Sequence, residues 1–190
     1  TFVMDPSLLI GIIAGCDTAL RNPVENAEDD TEQGWKDLQG FDITPNDTVI
    51  GIAASGTTPY VLGALKAARA FGCLTAGICS NPEAPITEVA EIGIVMVVGP
   101  EYVTGSSRMK SGTGQKLICN MITTSVMIKM GRVKGNKMVN MQLSNAKLVD
   151  RGTRMVVEEL GLPYEEAKRL LLLHGQVKAA VDAYRGAKGE

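Results

Sequence analysis

The feature that most constrains the fold is a set of three short apolar segments, which cover residues 48–54, 74–79 and 92–98. Each segment has the length of a buried β-strand and is followed by glycine, proline or small polar residues. The segments between them, at residues 59–70 and 86–90, have the pattern of helices. Strands that alternate with helices over such short distances are typical of right-handed parallel crossovers, so the sequence predicts an α/β fold with a parallel sheet.

The composition agrees with this class. Of the 190 residues, 45% are apolar and only 4% are aromatic, which suits parallel strands packed under helices better than an aromatic-rich β-sandwich. Three strands make a thin sheet, since a sheet usually has about 5 to 6. Because the sequence also begins without an initiator methionine, we expect further strands upstream and interpret the sequence as a fragment.

The second half of the chain has a helical pattern. Apolar and small residues at helical spacing predict a long helix over residues 109–130, with a broad face for the sheet or a partner subunit made of Leu117, Ile118, Met121, Ile122, Ser125 and Ile128. The rest predicts three helices and no strand, at residues 136–160, 163–173 and 176–186. We therefore divide the chain into a ligand-binding domain over residues 1–135 and a helical C-terminal region over residues 136–190.

Several classes of protein are excluded by what the chain lacks. The longest uncharged run, between Asp47 and Lys66, is interrupted by a polar turn, so the sequence predicts no membrane span. No signal peptide pattern opens the chain, and its four cysteines form no C-x-x-C pair. With only one histidine as well, we expect reduced thiols, a cytoplasmic location and no metal site.

The charge is distributed unevenly along the chain. Residues 1–47 contain ten acidic and two basic residues, a formal charge of −8, whereas residues 101–154 contain ten basic and two acidic residues, a formal charge of +8. This pattern is compatible with an anionic ligand at the basic part, with pairing of the two parts in a dimer, or simply with solvated helix faces. Few aromatic residues lie among the bases, and no nucleic-acid-binding motif is present, so we do not expect a nucleic-acid partner.

Two hydroxyl-rich segments each follow a predicted strand and precede a predicted helix. In the first, Ser55-Gly56-Thr57-Thr58-Pro59, we expect Thr58 to cap the helix and Pro59 to take its first position, so that backbone N–H groups and three hydroxyls converge on an anion. The second runs from Gly99 to Thr113 and combines hydroxyls and cations with one carboxylate, Glu101. A plain capped turn is the alternative for the first segment, and solvated side chains are the alternative for the second.

The N-terminal part contributes a helix start and a carboxylate cluster. Asp5-Pro6 predicts a helix that leads into residues 8–13. Residues 24–30, VENAEDD, form an acidic segment that leads into a polar helix. A partly buried carboxylate in such a cluster has a raised pKa and can act as general acid or base near neutrality, whereas a solvated helix start is the simpler interpretation.

Four strings of this sequence closely resemble N-acetylmuramic acid 6-phosphate etherases: AGCDTALRNPVENAEDD, IAASGTTPYVLGAL, VVGPEYVTGSSRMKSGTGQKLICNM and GNKMVNMQLSNAKL. These are sugar isomerase (SIS) domain proteins, related also to the glucokinase regulatory protein. The resemblance covers nearly the whole chain in order. It implies a flavodoxin-like, three-layer SIS sandwich, a homodimer and a small helical C-terminal region.

The resemblance implies a lyase that needs no cofactor and acts in cell-wall amino sugar recycling. The sugar opens to its aldehyde, a base removes the C2 proton, and the C3 lactyl ether leaves as D-lactate. Water then adds to give N-acetylglucosamine 6-phosphate. A non-catalytic sugar-phosphate-binding regulator and a sugar-phosphate aldose–ketose isomerase remain as alternatives.

The family's site residues transfer to positions of this chain that match its motifs. The last glutamate of the V-E-x-A-E-D element is Glu28, the best catalytic candidate, with Glu25 the weaker one in the same element. Glu101 stands where related SIS isomerases keep a base. The resemblance assigns substrate-phosphate binding to two groups of residues, which are Ser55, Gly56, Thr57 and Thr58 in the first segment and Ser106, Ser107 and Lys110 in the second.

The chain departs from the family pattern in two ways. The family usually has arginine where this chain has Thr57, which predicts weaker ligand binding or a shifted specificity. The family's first Gly-Ser-rich phosphate loop and its other catalytic glutamate, in an A-S-E-C-P-P segment, lie immediately upstream of the position of Thr1. A protein that started at Thr1 is therefore expected to be catalytically impaired.

Overall fold

The computed structural model describes residues 4–139 and 141–188. These residues divide into two compact units, one of residues 10–120 and the other of residues 121–139 and 141–188 together with residues 4–9. The division that the sequence places after residue 135 stays a prediction.

A parallel three-stranded sheet forms the centre of the first unit. Its strands are β1 (Thr48–Ile52), β2 (Leu74–Cys79) and β3 (Ile92–Val95), in the order β1-β2-β3. The α/β class with a parallel sheet is thus confirmed. β3 is shorter than predicted, because β2 ends at Cys79 and leaves Val97 and Val98 without a neighbouring strand.

Two helices pack on this sheet. Helix α3 (Pro59–Phe71) packs on β1 and β2, and helix α4 (Ile86–Val89) packs on β2 and β3. Leu65 of α3 and Ile86 of α4 are fully buried at the centre of the core. Their burial withdraws large aliphatic side chains from water, which is the main stabilising contribution to a core of this size.

Helices α1 (Cys16–Ala19) and α2 (Gln33–Gln39) precede the sheet in the chain. The prediction of a helix that leads into residues 8–13 is wrong, because only a single 3₁₀ turn forms, at Pro6–Leu8. The Asp5 carboxylate accepts a hydrogen bond from the backbone N–H of Ser7 at the start of this turn. Leu8 and Leu9 are 64% and 61% exposed, so this segment buries no apolar face that could stabilise a longer helix.

The long helix predicted in the second half of the chain is present as α5 (Lys110–Lys129), and the boundary between the two compact units falls within it. The C-terminal unit also contains three helices, which are α6 (Ala146–Leu160), α7 (Tyr164–His174) and α8 (Val177–Lys188). Their apolar faces enclose a second core around Val156, Leu171 and Ala180. No described helix is both long enough and apolar enough to span a membrane.

The expectation that residues 136–190 contain no strand is wrong. A short antiparallel pair precedes α6, made of β4 (Val133–Lys134) and β5 (Lys137–Met138). Gly135 has a φ of +60° in the two-residue connection, a conformation that glycine adopts readily. The following helix begins only at Ala146, where the Asn145 side chain accepts a hydrogen bond from the N–H of Leu148.

Candidate functional site

The first hydroxyl-rich segment forms a tight turn at the carboxyl end of β1, which we call the β1 loop (residues 53–58). The Ser55 hydroxyl oxygen accepts hydrogen bonds from the N–H and the hydroxyl of Thr57, at 3.2 and 3.0 Å. Gly56 is buried, and its φ of +74° is in the left-handed region. Thr58 takes the N-cap position and Pro59 the first position of α3, as predicted, but the Thr58 side chain makes no capping hydrogen bond.

The β1 loop is fixed to the loop that follows β2. The Asn81 side-chain amide donates to the Ser55 carbonyl at 3.1 Å, and the N–H of Ile86 donates to the Gly56 carbonyl at 3.1 Å. The hydroxyls of Ser55 and Thr57 nevertheless remain exposed. The loop therefore presents polar groups to solvent from a backbone that is held on both sides.

The acidic segment (residues 24–30) lies against the first turn of α3. The Glu28 carbonyl accepts a hydrogen bond of 3.0 Å from the N–H of Tyr60, the second residue of α3. A side chain at Gly63, one turn later, would place its Cβ 1.7 Å from the carbonyl oxygen of Thr31, so this close approach requires glycine. The backbone of Glu28 is thereby placed beside the β1 loop.

Tyr60 also ties α2 to α3. Its side chain is buried, and its hydroxyl donates to an Asp37 carboxylate oxygen at 2.6 Å. Burial and this carboxylate raise the pKa of Tyr60, so the phenol stays protonated and continues to donate.

The catalytic candidates Glu25 and Glu28 both have exposed side chains. The partial burial that the sequence analysis required of a carboxylate in this segment is therefore not found at either residue. Their roles stay predictions. What the structure adds is the position of the Glu28 backbone at the N-terminus of α3.

The second hydroxyl-rich segment forms a longer connection between β3 and α5, which we call the β3 loop (residues 96–109). Glu101 folds back from this loop onto the start of α5, where its two carboxylate oxygens accept hydrogen bonds from the N–H groups of Lys110 and Ser111, each at 3.0 Å. These backbone donors hold the pKa of the Glu101 carboxyl below its usual range. The Lys110 ammonium group donates to the Pro100 carbonyl at 2.9 Å.

Ser106 and Ser107 lie in the same loop, half-buried and exposed respectively. The Ser107 carbonyl accepts from the N–H of Gly112, which joins the end of the loop to α5. The structure thus brings Ser107, Lys110 and Glu101 together around the first turn of α5. Whether they bind a phosphate stays a prediction.

Two residues that were not among the predicted site residues, Ser80 and Asn81, link the start of α5 and the β1 loop to the end of β2. Ser80 follows the central strand β2, and its hydroxyl shares a hydrogen bond of 2.5 Å with the hydroxyl of Ser111, which is itself 2% exposed. The neighbouring Asn81 holds the β1 loop through Ser55. Polar residues directly after a central buried strand were the signal that could have identified this bridge, because that strand end lies between its two neighbours.

The arrangement suits an anionic ligand. Exposed hydroxyls, a lysine and carboxylates lie on segments near the carboxyl ends of β1 and β3, the two neighbours of β2, and ligands of open parallel sheets usually bind at such strand ends. Within the described residues, no group of three or more histidine, cysteine, aspartate or glutamate side chains is placed to hold a metal ion.

Comparison with known proteins gives closely related sequences. The profile of the glucokinase regulatory protein N-terminal SIS domain matches residues 4–69. N-acetylmuramic acid 6-phosphate etherase of Bacteroides fragilis is 71% identical over 185 residues, which are 97% of this chain and 66% of that protein. The proteins of the same name from Bacteroides thetaiotaomicron and Porphyromonas gingivalis are 66% and 62% identical, again over 97% of this chain and over 67% and 68% of their own lengths.

The chain therefore spans about two thirds of the length of these relatives, and its own length is matched almost throughout. Identity of this degree over 185 residues, together with the parallel sheet and the SIS profile, establishes the family of the chain. It belongs to the N-acetylmuramic acid 6-phosphate etherase family of SIS-domain proteins.

Proposed function

We propose that the protein that contains this chain is a carbon–oxygen lyase, which cleaves the lactyl ether of N-acetylmuramic acid 6-phosphate in cell-wall amino sugar recycling. The observation that carries this proposal is the 62–71% identity to proteins named as etherases for this substrate. The site supports it, because the β1 loop, the acidic segment and the start of α5 supply hydroxyls, carboxylates and a lysine at the same edge of the sheet.

The proposed reaction requires acid–base groups and a fixed substrate. In the open-chain aldehyde, a base removes the proton at C2, whose acidity the C1 carbonyl provides. The C3–O bond then breaks, and the ether oxygen takes a proton as D-lactate leaves. Water adds its hydroxyl at C3 and a proton returns to C2, so that one water is consumed and N-acetylglucosamine 6-phosphate is formed. General acid–base catalysis of such steps contributes roughly 10²- to 10⁴-fold.

We assign the proton transfers of this chain to Glu28 first and to Glu25 second. Glu28 is supported by its backbone hydrogen bond to Tyr60, which holds it at the N-terminus of α3 beside the β1 loop. The exposed side chain of Glu28 leaves its carboxylate accessible to a ligand. Glu25, three residues earlier, has no comparable tie to α3 in the described structure.

We assign phosphate binding to the β1 loop, through Ser55, Gly56, Thr57 and Thr58. The hydroxyls of Ser55 and Thr57 are exposed, whereas Gly56 and the Ser55 carbonyl are fixed by their neighbours. A turn whose backbone is already fixed presents its exposed hydroxyls to an anion with little further ordering cost. Ser106, Ser107 and Lys110 form the second group of ligand-binding residues in this proposal. Because Thr57 is uncharged, it supplies a hydroxyl where arginine would supply a cation.

The central test is D-lactate release. The full-length wild-type protein that contains this chain should release D-lactate from N-acetylmuramic acid 6-phosphate in a coupled assay. Glu28→Gln in the same protein should lower kcat by about 10²-fold or more, the usual contribution of a general acid or base. Glu32→Gln is a matched control, because Glu32 is an exposed glutamate four residues after Glu28 whose carboxylate forms an ion pair with Lys36 at 3.1 Å. Unchanged turnover in Glu28→Gln would remove Glu28 from the mechanism.

A sugar-phosphate-binding regulator is the second candidate, and the SIS profile of the glucokinase regulatory protein is the observation that favours it. The same assay separates the two. A wild-type protein that binds N-acetylmuramic acid 6-phosphate in calorimetry but releases no D-lactate is a binding protein and not a lyase.

We further propose that the protein is a cytoplasmic homodimer with α5 in its interface. Leu117, Met121 and Ile128 form an exposed apolar stripe along this helix, at 51%, 60% and 52% exposure. Leu117→Asp should convert dimer to monomer in sedimentation at low micromolar concentration. Leu173→Asp is the control, since it makes the same change at a leucine of α7 that is 76% exposed. A wild-type protein that sediments as a folded monomer contradicts the proposal.

A further inference from the structure

We infer that Glu101 is a positioning residue, which fixes the β3 loop on the start of α5, and that it does not transfer a proton to or from the substrate. This inference deepens the proposed function and rests on it. It concerns a carboxylate whose type and place in the sequence suggested a base, but whose contacts are those of a helix cap.

Both carboxylate oxygens of Glu101 accept hydrogen bonds from the backbone. One accepts from the N–H of Lys110 and the other from the N–H of Ser111, at 3.0 Å each. The first N–H groups of a helix have no partner within the helix, so a carboxylate that accepts from two of them satisfies donors that would otherwise need water. The helix that receives this cap has 20 residues, and its N-terminus favours a negative charge.

Glu101 caps the start of α5 and also holds the two ends of the β3 loop together. Glu101 and Lys110 are nine residues apart, and the hydrogen bond between them holds both ends of the segment that carries Ser106 and Ser107. The Lys110 ammonium group adds a second closure through the Pro100 carbonyl, at 2.9 Å. The loop therefore has its ends fixed by charged side chains from either side.

The capped helix start is in turn attached to the sheet. Ser111 is only 2% exposed, and its hydroxyl shares the 2.5 Å hydrogen bond with the hydroxyl of Ser80 at the end of β2. Movement of Glu101 would thus release the β3 loop from a fixed point on the central strand. Through these contacts, the positions of Ser106 and Ser107 are fixed relative to the sheet.

These contacts also make Glu101 a poor base. A general base needs a pKa near the working pH. The N–H groups of Ser111 and Lys110 stabilise the charged form of Glu101 and lower its pKa, which weakens it as a proton acceptor. Its occupation of the two N–H groups also keeps a substrate phosphate from binding to them.

The test compares Glu101→Gln with the control Glu88→Gln, the same change at an exposed glutamate of α4. Glutamine keeps the size but loses the charge, and only one of its two terminal groups can accept a hydrogen bond. We expect KM for N-acetylmuramic acid 6-phosphate to rise about tenfold or more, with kcat lowered by less than about tenfold and the acid limb of the pH profile retained. Amides of residues 102–111 should exchange hydrogen about tenfold faster or more.

Two results would overturn the inference. A kcat loss of about 10²-fold or more with an unchanged KM and a lost acid limb would make Glu101 the base. Unchanged exchange of residues 102–111 in Glu101→Gln would show that the carboxylate does not fix the loop. If Glu101→Gln does not fold, Glu101→Asp is measured in the same way, since it keeps the charge but cannot reach both N–H groups.

The exchange measurement separates this inference from the proposed function. If the wild-type protein releases no D-lactate, the lyase proposal fails, but faster exchange in Glu101→Gln still shows that Glu101 holds the loop. The kinetic part is then replaced by the Kd of N-acetylmuramic acid 6-phosphate from calorimetry. An unchanged Kd would contradict a positioning role toward the ligand.

Discussion

The β1 loop and the β3 loop have similar hydroxyl-rich compositions but are held in different ways. The β1 loop is short and is fixed by backbone carbonyls, with Gly56 packed among the side chains of Cys79, Ala84 and Ile86. The β3 loop is longer, and a side-chain carboxylate closes it. Its tip is exposed, with Tyr102 98% accessible to solvent. One loop is part of the core, whereas the other is tied to the core at its ends.

The largest expected effect of this difference is on stability, through one glycine in each loop. Both Gly56 and Gly105 have a positive φ, at +74° and +81°, but a Cβ at Gly56 would lie 2.4 Å from the Cβ of Ala84, whereas a Cβ at Gly105 would meet nothing within 4 Å. Gly56→Ala combines left-handed strain with overpacking and should cost about 2 to 5 kcal/mol of unfolding free energy. Gly105→Ala carries only the strain, about 1 to 2 kcal/mol.

Urea unfolding of the two variants measures the contrast. Equal losses of unfolding free energy in Gly56→Ala and Gly105→Ala would show that the β3 loop is packed as tightly as the β1 loop. That result would contradict the difference in packing between the two loops. A larger loss for Gly105→Ala would reverse it.

The next effect concerns the ligand. If the β1 loop binds the phosphate, Ser55→Ala should weaken binding of N-acetylglucosamine 6-phosphate by about 1.5 to 3 kcal/mol, the contribution of a hydrogen bond to a charged group. Binding of the unphosphorylated sugar should not change. Ser107→Ala, the matched variant in the β3 loop, should have the smaller effect on the phosphorylated ligand, because the α5 start is already occupied by Glu101.

Calorimetry with both sugars decides between these roles. Equal losses for both sugars in Ser55→Ala would mean that this serine supports the turn through its bonds to Thr57 and does not contact the phosphate. A larger phosphate-specific loss in Ser107→Ala would move the phosphate site to the β3 loop.

The regular part of the first unit could be predicted from the sequence because its signals are local. β2 has the predicted bounds, Leu74–Cys79, and α3 begins at Pro59 as expected, since both depend on apolar patterns and on proline and glycine at the ends. The β4–β5 pair was missed because two-residue strands are too short to show any alternation. The end of β3 was misplaced because it depends on where its neighbour β2 stops.

The site was less predictable, because its connections join distant positions in the sequence. The motifs indicated Glu101 and Ser111 as members of one segment, but nothing local shows that the carboxylate folds back onto a helix nine residues later. Ser80 and Asn81 were overlooked because their partners, Ser111 and Ser55, lie 31 and 26 residues away in the sequence. Only the parallel order of the strands brings these ends together.

The smallest expected effect is a pH dependence confined to the β3 loop. The folded structure lowers the pKa of Glu101, so its stabilising contribution is complete above roughly 4.3, the ordinary pKa of a glutamate, and is lost as the pH falls through the lower value of the folded state. Hydrogen exchange of residues 102–111 should therefore be slower in wild type than in Glu101→Gln at pH 6. The ratio of the two exchange rates should approach one as the pH falls well below 4.

The same ratio for the N–H of Gly56 in the β1 loop should stay constant over this pH range, because its bond to the Ala53 carbonyl involves no titrating group. Other carboxylates with lowered pKa, such as Asp30 and Asp47, act equally on both variants and cancel in the ratio. A β3 loop ratio that does not change with pH would mean that the charge of Glu101 contributes nothing to holding the loop.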